Sequence, residues 1–258
     1  MKYGFGVDLG GTTVKIAYFD ENGTMLDKWE IPTDLAEQGK NILPDIAASL
    51  LGYIKENSIP MDSLLGIGIG VPGPVSPEGV VNRCENLRWG VFNVNEALSQ
   101  LTGLPVRAGN DATVAALGEC WKGGGRGYNS MVMATLGTGV GGGIIIDGKI
   151  YAGMRSAGAE LGHTLLVLDG EPCTCGRKGC WETYASATAL IRQTRQAAAD
   201  HPESLLAQTA PADVTGRTVF DAADAGDPVA DEVIRQYCVY IAAGFTDLVN
   251  SLAPEMIL

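Results

Sequence analysis

The sequence is short of basic residues and of long hydrophobic runs. It contains 18 Lys and Arg against 30 Asp and Glu, a formal net charge of -12, and a surface of that sign repels the phosphate backbone of nucleic acids. Asp8 lies where a signal peptide needs an apolar run. The uncharged stretch 131–146 is broken by five glycines and is shorter than the roughly 20 residues of a bilayer span. These absences predict a soluble, cytoplasmic protein that binds neither nucleic acid nor membrane.

Glycine is the residue in excess, with 35 in 258 positions, about twice the usual share of 7%. Many of these glycines separate short apolar runs, which indicates strands joined by tight turns. In the first half, strands are predicted at 4–9, 14–19, 25–31, 64–71 and 105–108, with helices at 43–55, 95–101 and 110–121. In the second half, strands are predicted at 130–136, 140–146 and 149–152, helices at 186–199, 218–225 and 228–252, and the start of a strand at 255–258. This order is typical of an α/β layer fold, and the similar hairpins 4–19 and 130–147 indicate two related halves.

Two turns rich in glycine and threonine connect predicted strands. They are Asp8-Leu9-Gly10-Gly11-Thr12-Thr13 and Leu136-Gly137-Thr138-Gly139. Glycines let backbone N–H groups converge on an anion, threonine hydroxyls add donors, and Asp8 can hold Mg²⁺ through water. For one turn alone, an ordinary hairpin is the alternative interpretation. The pair predicts two hairpins that grip the β- and γ-phosphates of a nucleotide between two domains, without the Gly-Lys-Ser/Thr ending of a Walker loop.

Four possible metal ligands follow one another at short spacing. His163 precedes Cys173, Cys175 and Cys180, which supply three thiols within eight residues. One imidazole and three thiolates form a closed tetrahedral set that suits a structural Zn²⁺ ion, and Gly176 and Gly179 let the loop fold around it. The alternatives are uncoordinated thiols or a disulfide. His163 is expected to bind through one ring nitrogen and to leave the other for a ligand.

Polar side chains cluster around these motifs. Asn110 and Asp111 open a helix directly after a strand, where ligand sites lie in open α/β sheets, although a simple helix cap would have the same pattern. Glu160 precedes His163 by three residues, and Glu182 directly follows the metal loop. Three carboxylates, an amide and an imidazole beside a phosphate site suit a polyhydroxyl ligand such as a sugar. One carboxylate can take the proton as a hydroxyl attacks the γ-phosphate.

Five ordered motifs closely resemble those of the ROK family (repressors, open reading frames and sugar kinases), and the resemblance runs from residue 3 to 258. Within that family, the sequence most resembles the bacterial ATP-dependent glucokinases. The motifs are Asp8-Leu-Gly-Gly-Thr12, Asn110-Asp111-Ala112, Leu136-Gly-Thr-Gly-Val-Gly-Gly-Gly143, Glu160-Leu-Gly-His163 and Cys173-Thr-Cys-Gly-Arg-Lys-Gly-Cys-Trp-Glu182.

The resemblance implies an actin-like, ribonuclease-H-like α/β fold of two domains with the active site in the cleft, and a homodimer or higher homo-oligomer. We expect a small N-terminal domain at 1–112 with the first phosphate hairpin. A larger domain at 113–258 would hold the second hairpin and the zinc loop. The implied activity is ATP-dependent phosphorylation of a hexose, glucose first, to the 6-phosphate.

The same resemblance implies residue roles. By this resemblance Asp111 would be the general base that activates the sugar 6-hydroxyl, and Gly73 would make a backbone contact to the sugar. The other hydroxyls are held by Asn110, Glu160, His163 and Glu182. The phosphates of ATP, with Mg²⁺, are bound by Gly10, Gly11, Thr12, Thr13, Gly137, Thr138 and Gly139, with Asp8 beside them.

The sequence departs from the family pattern at several positions. Ala159 replaces a glycine that commonly precedes the motif glutamate, Thr113 stands where asparagine is frequent, and 84–89 only partly matches Asn-Leu-Gly-Trp. Fructose, mannose or an N-acetyl-hexosamine are therefore alternative substrates. Family members continue for several dozen residues with a glycine-rich segment that cradles the adenosine, so the sequence predicts a chain that is cut short.

Two other functions are compatible with the resemblance. Repressors of the family carry a helix-turn-helix region before the first phosphate motif, whereas seven residues precede Asp8, and the net charge is negative. A sugar-binding protein without kinase activity is the other alternative.

Overall fold

A computed structural model describes residues 1–82, 84–156 and 158–258 of the chain. The contacts divide it into two compact units. The first unit is Met1–Gly127 with Gly148–Ala159, and the second is Tyr128–Asp147 with Glu160–Leu258. The boundary predicted at 112 and 113 lies inside a helix, Asp111–Lys122.

Three strands open the chain, strands and helices are mixed in its middle, and four helices precede the last strand. Up to residue 122 the elements are β1 (Tyr3–Leu9), β2 (Thr13–Asp20), β3 (Met25–Pro32), α1 (Ile42–Glu56), β4 (Leu64–Val71), β5 (Val80–Val81), β6 (Phe92–Asn93), α2 (Val94–Thr102), β7 (Val106–Asn110) and α3 (Asp111–Lys122). The remainder are β8 (Met131–Leu136), β9 (Val140–Ile146), β10 (Lys149–Ile150), α4 (Glu182–Ala185), α5 (Ala187–Asp200), α6 (Thr218–Asp224), α7 (Pro228–Leu252) and β11 (Met256–Ile257).

The first unit is built on a five-stranded sheet in the order β3-β2-β1-β4-β7. The strands β1, β4 and β7 are parallel, while β2 and β3 pair antiparallel to their neighbours. On α1, Ile46, Leu50 and Ile54 repeat every four residues and are buried in a core with residues of the strands. Because the three parallel strands end at one edge, the residues that follow Leu9, Val71 and Asn110 are brought to that edge.

The second unit contains the antiparallel hairpin β8–β9, with β11 parallel to β8. Its helices share a core that includes Leu190, Leu206, Val219 and Tyr237. Trp181 is fully buried, and its Nε1 donates a hydrogen bond to the Tyr240 carbonyl at 2.9 Å. This anchors the chain just ahead of α4 to the long helix α7.

Most elements predicted from the sequence are confirmed within about two residues. The short pair β5–β6 and the one-turn helix α4 were not predicted, and β10 ends two residues before the predicted strand 149–152. In the described ranges, no helix is long and apolar enough to cross a bilayer.

Candidate functional site

The first glycine turn lies at the carboxyl edge of the parallel strands. The Gly10 N–H donates to the Thr13 carbonyl at 3.0 Å. Thr33, which follows β3, donates two further hydrogen bonds to the turn, from its N–H to the Thr12 carbonyl and from its Oγ1 to the Gly10 carbonyl. Within the described ranges, the N–H groups of Gly11 and Thr12 donate to no protein acceptor. They are therefore available to an anion, and the turn fits a phosphate group.

Asn110 and Asp111 lie at the same edge, where β7 runs into α3. Asn110 caps the helix, because its Oδ1 accepts from the Thr113 N–H at 3.0 Å, as the helix-cap interpretation predicts. Its Nδ2 also donates to the Gly73 carbonyl at 3.2 Å and to Asp111 Oδ1 at 3.0 Å. Gly73 has φ 90°, a left-handed conformation that suits glycine. One amide therefore holds both the loop carbonyl and the carboxylate.

The two oxygens of the Asp111 carboxylate differ in their contacts. Oδ1 accepts from the Ala112 N–H at 2.8 Å and from Asn110, whereas no donor among the described residues contacts Oδ2. Burial raises the pKa of Asp111, and the nearby negative charge of Asp8 raises it further, against the lowering effect of the Ala112 hydrogen bond. An oriented carboxylate with one oxygen left open and a raised pKa is suited to accept a proton.

In the second glycine turn the Gly137 N–H donates to the Gly139 carbonyl at 3.0 Å, two residues along the chain, whereas the bond that closes the first turn spans three. The Ala187 N–H at the start of α5 donates to the Gly137 carbonyl, so the turn is tied to that helix. A Cβ on Gly139 would lie only 2.6 Å from Glu182 Oε2. Glu182 is therefore in direct reach of this turn, while Thr138 is exposed at its tip.

The four predicted metal ligands converge in the second unit. The ligand atoms of His163, Cys173, Cys175 and Cys180 all lie within 4.8 Å of one another. The Cys173 Sγ is 3.7 Å from His163 Nδ1, and the Cys175 and Cys180 sulfurs are 3.6 Å apart. A tetrahedral Zn²⁺ with Zn–S bonds of about 2.3 Å separates its ligands by about 3.8 Å. The donor set fits zinc, and the sulfur separation excludes a disulfide between Cys175 and Cys180.

The three thiols of this cluster differ in their pKa. Hydrogen bonds from the backbone and side chain of Arg177 lower the pKa of the Cys175 thiol to about 6, toward the thiolate form that binds metal. Burial raises the pKa of the Cys173 thiol to about 12 and also raises that of Cys180. The Arg177 guanidinium also donates to the His163 carbonyl at 2.8 Å. Since Nδ1 of His163 faces the sulfurs, its Nε2 is left for another partner. Arg177 was not among the residues predicted from the sequence.

Glu182 and Glu160 flank the cluster. Glu182 Oε1 lies 3.0 Å from the Cys173 Sγ and 3.6 Å from His163 Nδ1, as expected from its position directly after the loop. Glu160 is exposed and precedes the short helical turn Leu161–His163, where its carbonyl accepts from the His163 N–H at 3.0 Å. The second unit thus holds both glutamates, the histidine and the second glycine turn.

Two glycines make this arrangement possible. A Cβ on Gly162 would lie 2.2 Å from the Val140 carbonyl oxygen, and one on Gly179 would lie 1.6 Å from that of Val167. Gly179 was predicted to let the loop fold around the ion, whereas Gly162 was not predicted to position the site. Gly162 could have been identified because it lies between Glu160 and His163. Ala159, which replaces a common family glycine, has φ 63°, a conformation that costs a non-glycine residue free energy.

The chain is similar to known proteins along nearly its whole length. A model described as the ROK family matches residues 4–258. The chain is 41% identical to a glucokinase of Halalkalibacterium halodurans over 256 aligned residues. The alignment covers 98% of this chain and 78% of that relative. It is similar to the crystal structure of a ROK family glucokinase from Streptomyces griseus in complex with glucose and AMPPNP, with TM-score 0.81 and 35% identity over 99% of this chain and 81% of that one. A xylose repressor of Bacillus spizizenii is 26% identical over 99% of this chain and 63% of the repressor.

These similarities confirm the α/β fold class expected from the sequence, that of the actin-like, ribonuclease-H-like sugar kinases. The family match spans all five motifs that carried the resemblance. The chain belongs to the ROK family.

Proposed function

We propose that this protein is an ATP-dependent hexose kinase and that its substrate is glucose, phosphorylated at the 6-hydroxyl. The relative at 41% identity is a glucokinase, and the Streptomyces griseus structure contains glucose and an ATP analogue. We expect it to act in the cytoplasm, where ATP is available, as a homodimer or higher homo-oligomer.

One observation supports the reaction most directly. Asp111 and the glycine turn 10–13 lie at the same edge of one sheet, and Asp111 Oδ2 is the oxygen without a donor among the described residues. Asp111 is the general base that takes the 6-hydroxyl proton on Oδ2. Asn110 and the Ala112 N–H hold the other oxygen and so fix the orientation of the carboxylate. The deprotonating 6-oxygen bonds to the γ-phosphorus of ATP, and ADP leaves as the bond between the β- and γ-phosphates breaks.

The remaining residues bind and orient the two substrates. Phosphate oxygens accept hydrogen bonds from the turns Gly10–Thr13 and Gly137–Gly139, and Asp8 holds Mg²⁺ through water. Hydroxyl groups of the hexose are bound by Asn110, Glu160, His163 and Glu182, with a backbone contact at Gly73. The Zn²⁺ held by His163 and the three cysteines is structural, because its four ligands leave no open position.

Steady-state kinetics with ATP, Mg²⁺ and a panel of hexoses tests the proposal. Asp111→Asn keeps the shape and the Ala112 contact but cannot accept the proton, so kcat should fall by about 10²–10⁴-fold. Asp45→Asn is a matched control, since Asp45 is exposed in the first turn of α1. Turnover by Asp111→Asn equal to that of wild type would remove Asp111 from the role of base. Faster turnover of mannose or fructose than of glucose would reassign the substrate.

The xylose repressor similarity favours a second candidate, a sugar-binding regulator without phosphoryl transfer. Titration calorimetry separates the two functions. Glucose binding in the absence of any ATP binding or turnover would support the regulator, whereas binding of both ligands with turnover supports the kinase.

A further inference from the structure

The helix α4 carries Glu182 but is only four residues long. A helix of one turn cannot satisfy its own carbonyl groups, so other donors must do so. Directly after α4, the Ser186 N–H donates to the Glu182 carbonyl at 3.2 Å. The carbonyls of Thr183 and Tyr184 need partners from elsewhere.

Two consecutive side chains of α5 supply these partners. Arg192 Nη2 donates to the Thr183 carbonyl at 2.9 Å, and Gln193 Nε2 donates to the Tyr184 carbonyl at 2.9 Å. The other arm of the same guanidinium, Nη1, donates to Glu171 Oε1 at 3.0 Å. Together with α7, whose Tyr237 hydroxyl donates to the Ala185 carbonyl at 2.8 Å, α5 therefore fixes the direction of α4 and with it the start of the Glu182 side chain.

The contacts of Arg192 span the cysteine loop. Glu171 lies two residues before the first cysteine of the loop, and Thr183 directly follows Glu182. A planar guanidinium holds two acceptors in a fixed relation, which a lysine cannot do with one ammonium. Arg192 therefore joins the two ends of the segment that contains Cys173, Cys175, Cys180 and Glu182.

We propose that Arg192 is a positioning residue that fixes Glu182 and the three cysteines relative to one another through its bonds to Thr183 and Glu171. Its effect on sugar affinity rests on the proposed function, in which Glu182 binds a sugar hydroxyl. Its effect on zinc does not, because the ligand cluster is formed independently of any sugar.

The position of Arg192 makes a clean test feasible. The side chains of Arg192 and Glu171 are 44% and 41% exposed, and an exposed ion pair contributes little to the free energy of folding. We therefore expect Arg192→Gln to fold. Arg195 provides a matched control: it lies on the same helix and donates to the Pro211 carbonyl at 2.7 Å, away from the metal loop.

The experiment compares wild type with Arg192→Gln, Arg192→Lys and Arg195→Gln, each loaded with zinc. It measures the rate of zinc release to a chromogenic chelator, the glucose Kd by calorimetry, KM for glucose and for ATP, and Tm. Because the two ends of the loop are then no longer joined, Arg192→Gln should release zinc about 10-fold faster and raise the glucose Kd and KM by about 10-fold, the lower end of the effects that follow loss of hydrogen bonds around a metal site. KM for ATP should not change. Arg192→Lys should fall between, and Arg195→Gln should match wild type in zinc release and glucose Kd.

Three results would overturn the proposal. The first is a rate of zinc release and a glucose Kd in Arg192→Gln that both lie within twofold of wild type. The second is an equal change of these two quantities in Arg192→Gln and Arg195→Gln. The third is a change of both quantities that is fully accounted for by a lower Tm of the variant. If wild type itself binds no glucose and transfers no phosphate, the kinase proposal fails. Zinc release then still decides whether Arg192 positions the loop.

Discussion

The carboxylate of Glu182 has neighbours on two sides. Oε1 lies close to Cys173 and His163, and Oε2 lies 2.6 Å from the place that a Cβ on Gly139 would take. The first contact could be expected from the sequence, because Glu182 directly follows the cysteine loop. The second could not, since it depends on how the hairpin β8–β9 packs against α4, and no sequence spacing encodes that.

The approach of Gly139 to Glu182 predicts a change of function with little change of stability. In Gly139→Ala, the new Cβ would lie 2.6 Å from Glu182 Oε2, and the flexible end of the glutamate can move aside at small cost. The displaced carboxylate should raise the Kd for glucose by about 10-fold, while the free energy of unfolding changes by less than about 1 kcal/mol. Calorimetry without nucleotide measures the first, and urea denaturation the second.

Gly137→Ala is the matched control, since a Cβ at that position meets no atom within 4 Å. It should leave the glucose Kd unchanged. Equal weakening of glucose binding by both substitutions would assign the effect to the turn as a whole and contradict the contact with Glu182.

At the scale of elements, repeating patterns were predicted well and elements held by distant contacts were not. The strands β1, β2 and β4 and the helices α3 and α7 follow from apolar runs, caps and glycine turns. The two-residue strands β5 and β6 are too short to show a period. The helix α4 is stabilised by side chains of α5, which the local sequence does not reveal.

Asp227 shows how a helix start predicted from sequence is completed by the fold. Pro228 begins α7, and Asp227 caps it through the Val229 N–H at 2.9 Å. The other oxygen accepts from the Ser204 hydroxyl at 2.5 Å and the Leu205 N–H at 2.7 Å. Burial alone would raise the pKa of Asp227, but the hydrogen bonds from Ser204, Val229 and Leu205 outweigh it, so that the pKa is lowered.

Asp227→Ala should therefore lower the free energy of unfolding by about 1–3 kcal/mol at neutral pH, because a cap and a buried acceptor are lost. Since the folded pKa is lowered, this stabilisation is fully present above the ordinary aspartate pKa of about 3.9 and disappears as the pH falls through the folded value. Urea denaturation from pH 7 to pH 3 should show the wild-type and variant curves converging in acid.

Asp231→Ala, an exposed control in the first turn of α7, should change the free energy of unfolding by at most about 0.5 kcal/mol. A difference that persists unchanged at pH 3 would show that the charge of Asp227 is not involved.

For the whole molecule, the excess of glycine has two sources in the structure. Some glycines form the turns of the two hairpins, and others, such as Gly162 and Gly179, allow backbones to approach at distances that any Cβ would prevent. Composition predicts the first use, because turns have a local signature. The second use becomes visible only when segments distant in sequence pack together.

The two units should respond differently to loss of zinc. In the second unit, the segment between His163 and Glu182 contains no helix or strand among the named elements, so the metal ligands His163, Cys173, Cys175 and Cys180 should determine its order. Chelation, or Cys175→Ser, should lower the Tm by about 5–15 °C, since each kcal/mol of lost stability lowers the Tm of a chain of this size by roughly 2–4 °C. Either change should also expose this segment to proteolysis. The first unit, which contains none of the ligands, should keep its protection from hydrogen exchange.

Cys238→Ser, on α7 and outside the cluster, should have no effect. Absence of zinc from freshly purified protein, or a Cys175→Ser variant with wild-type Tm and glucose affinity, would contradict a structural ion, because a closed set of four ligands has no other means of contributing to the site.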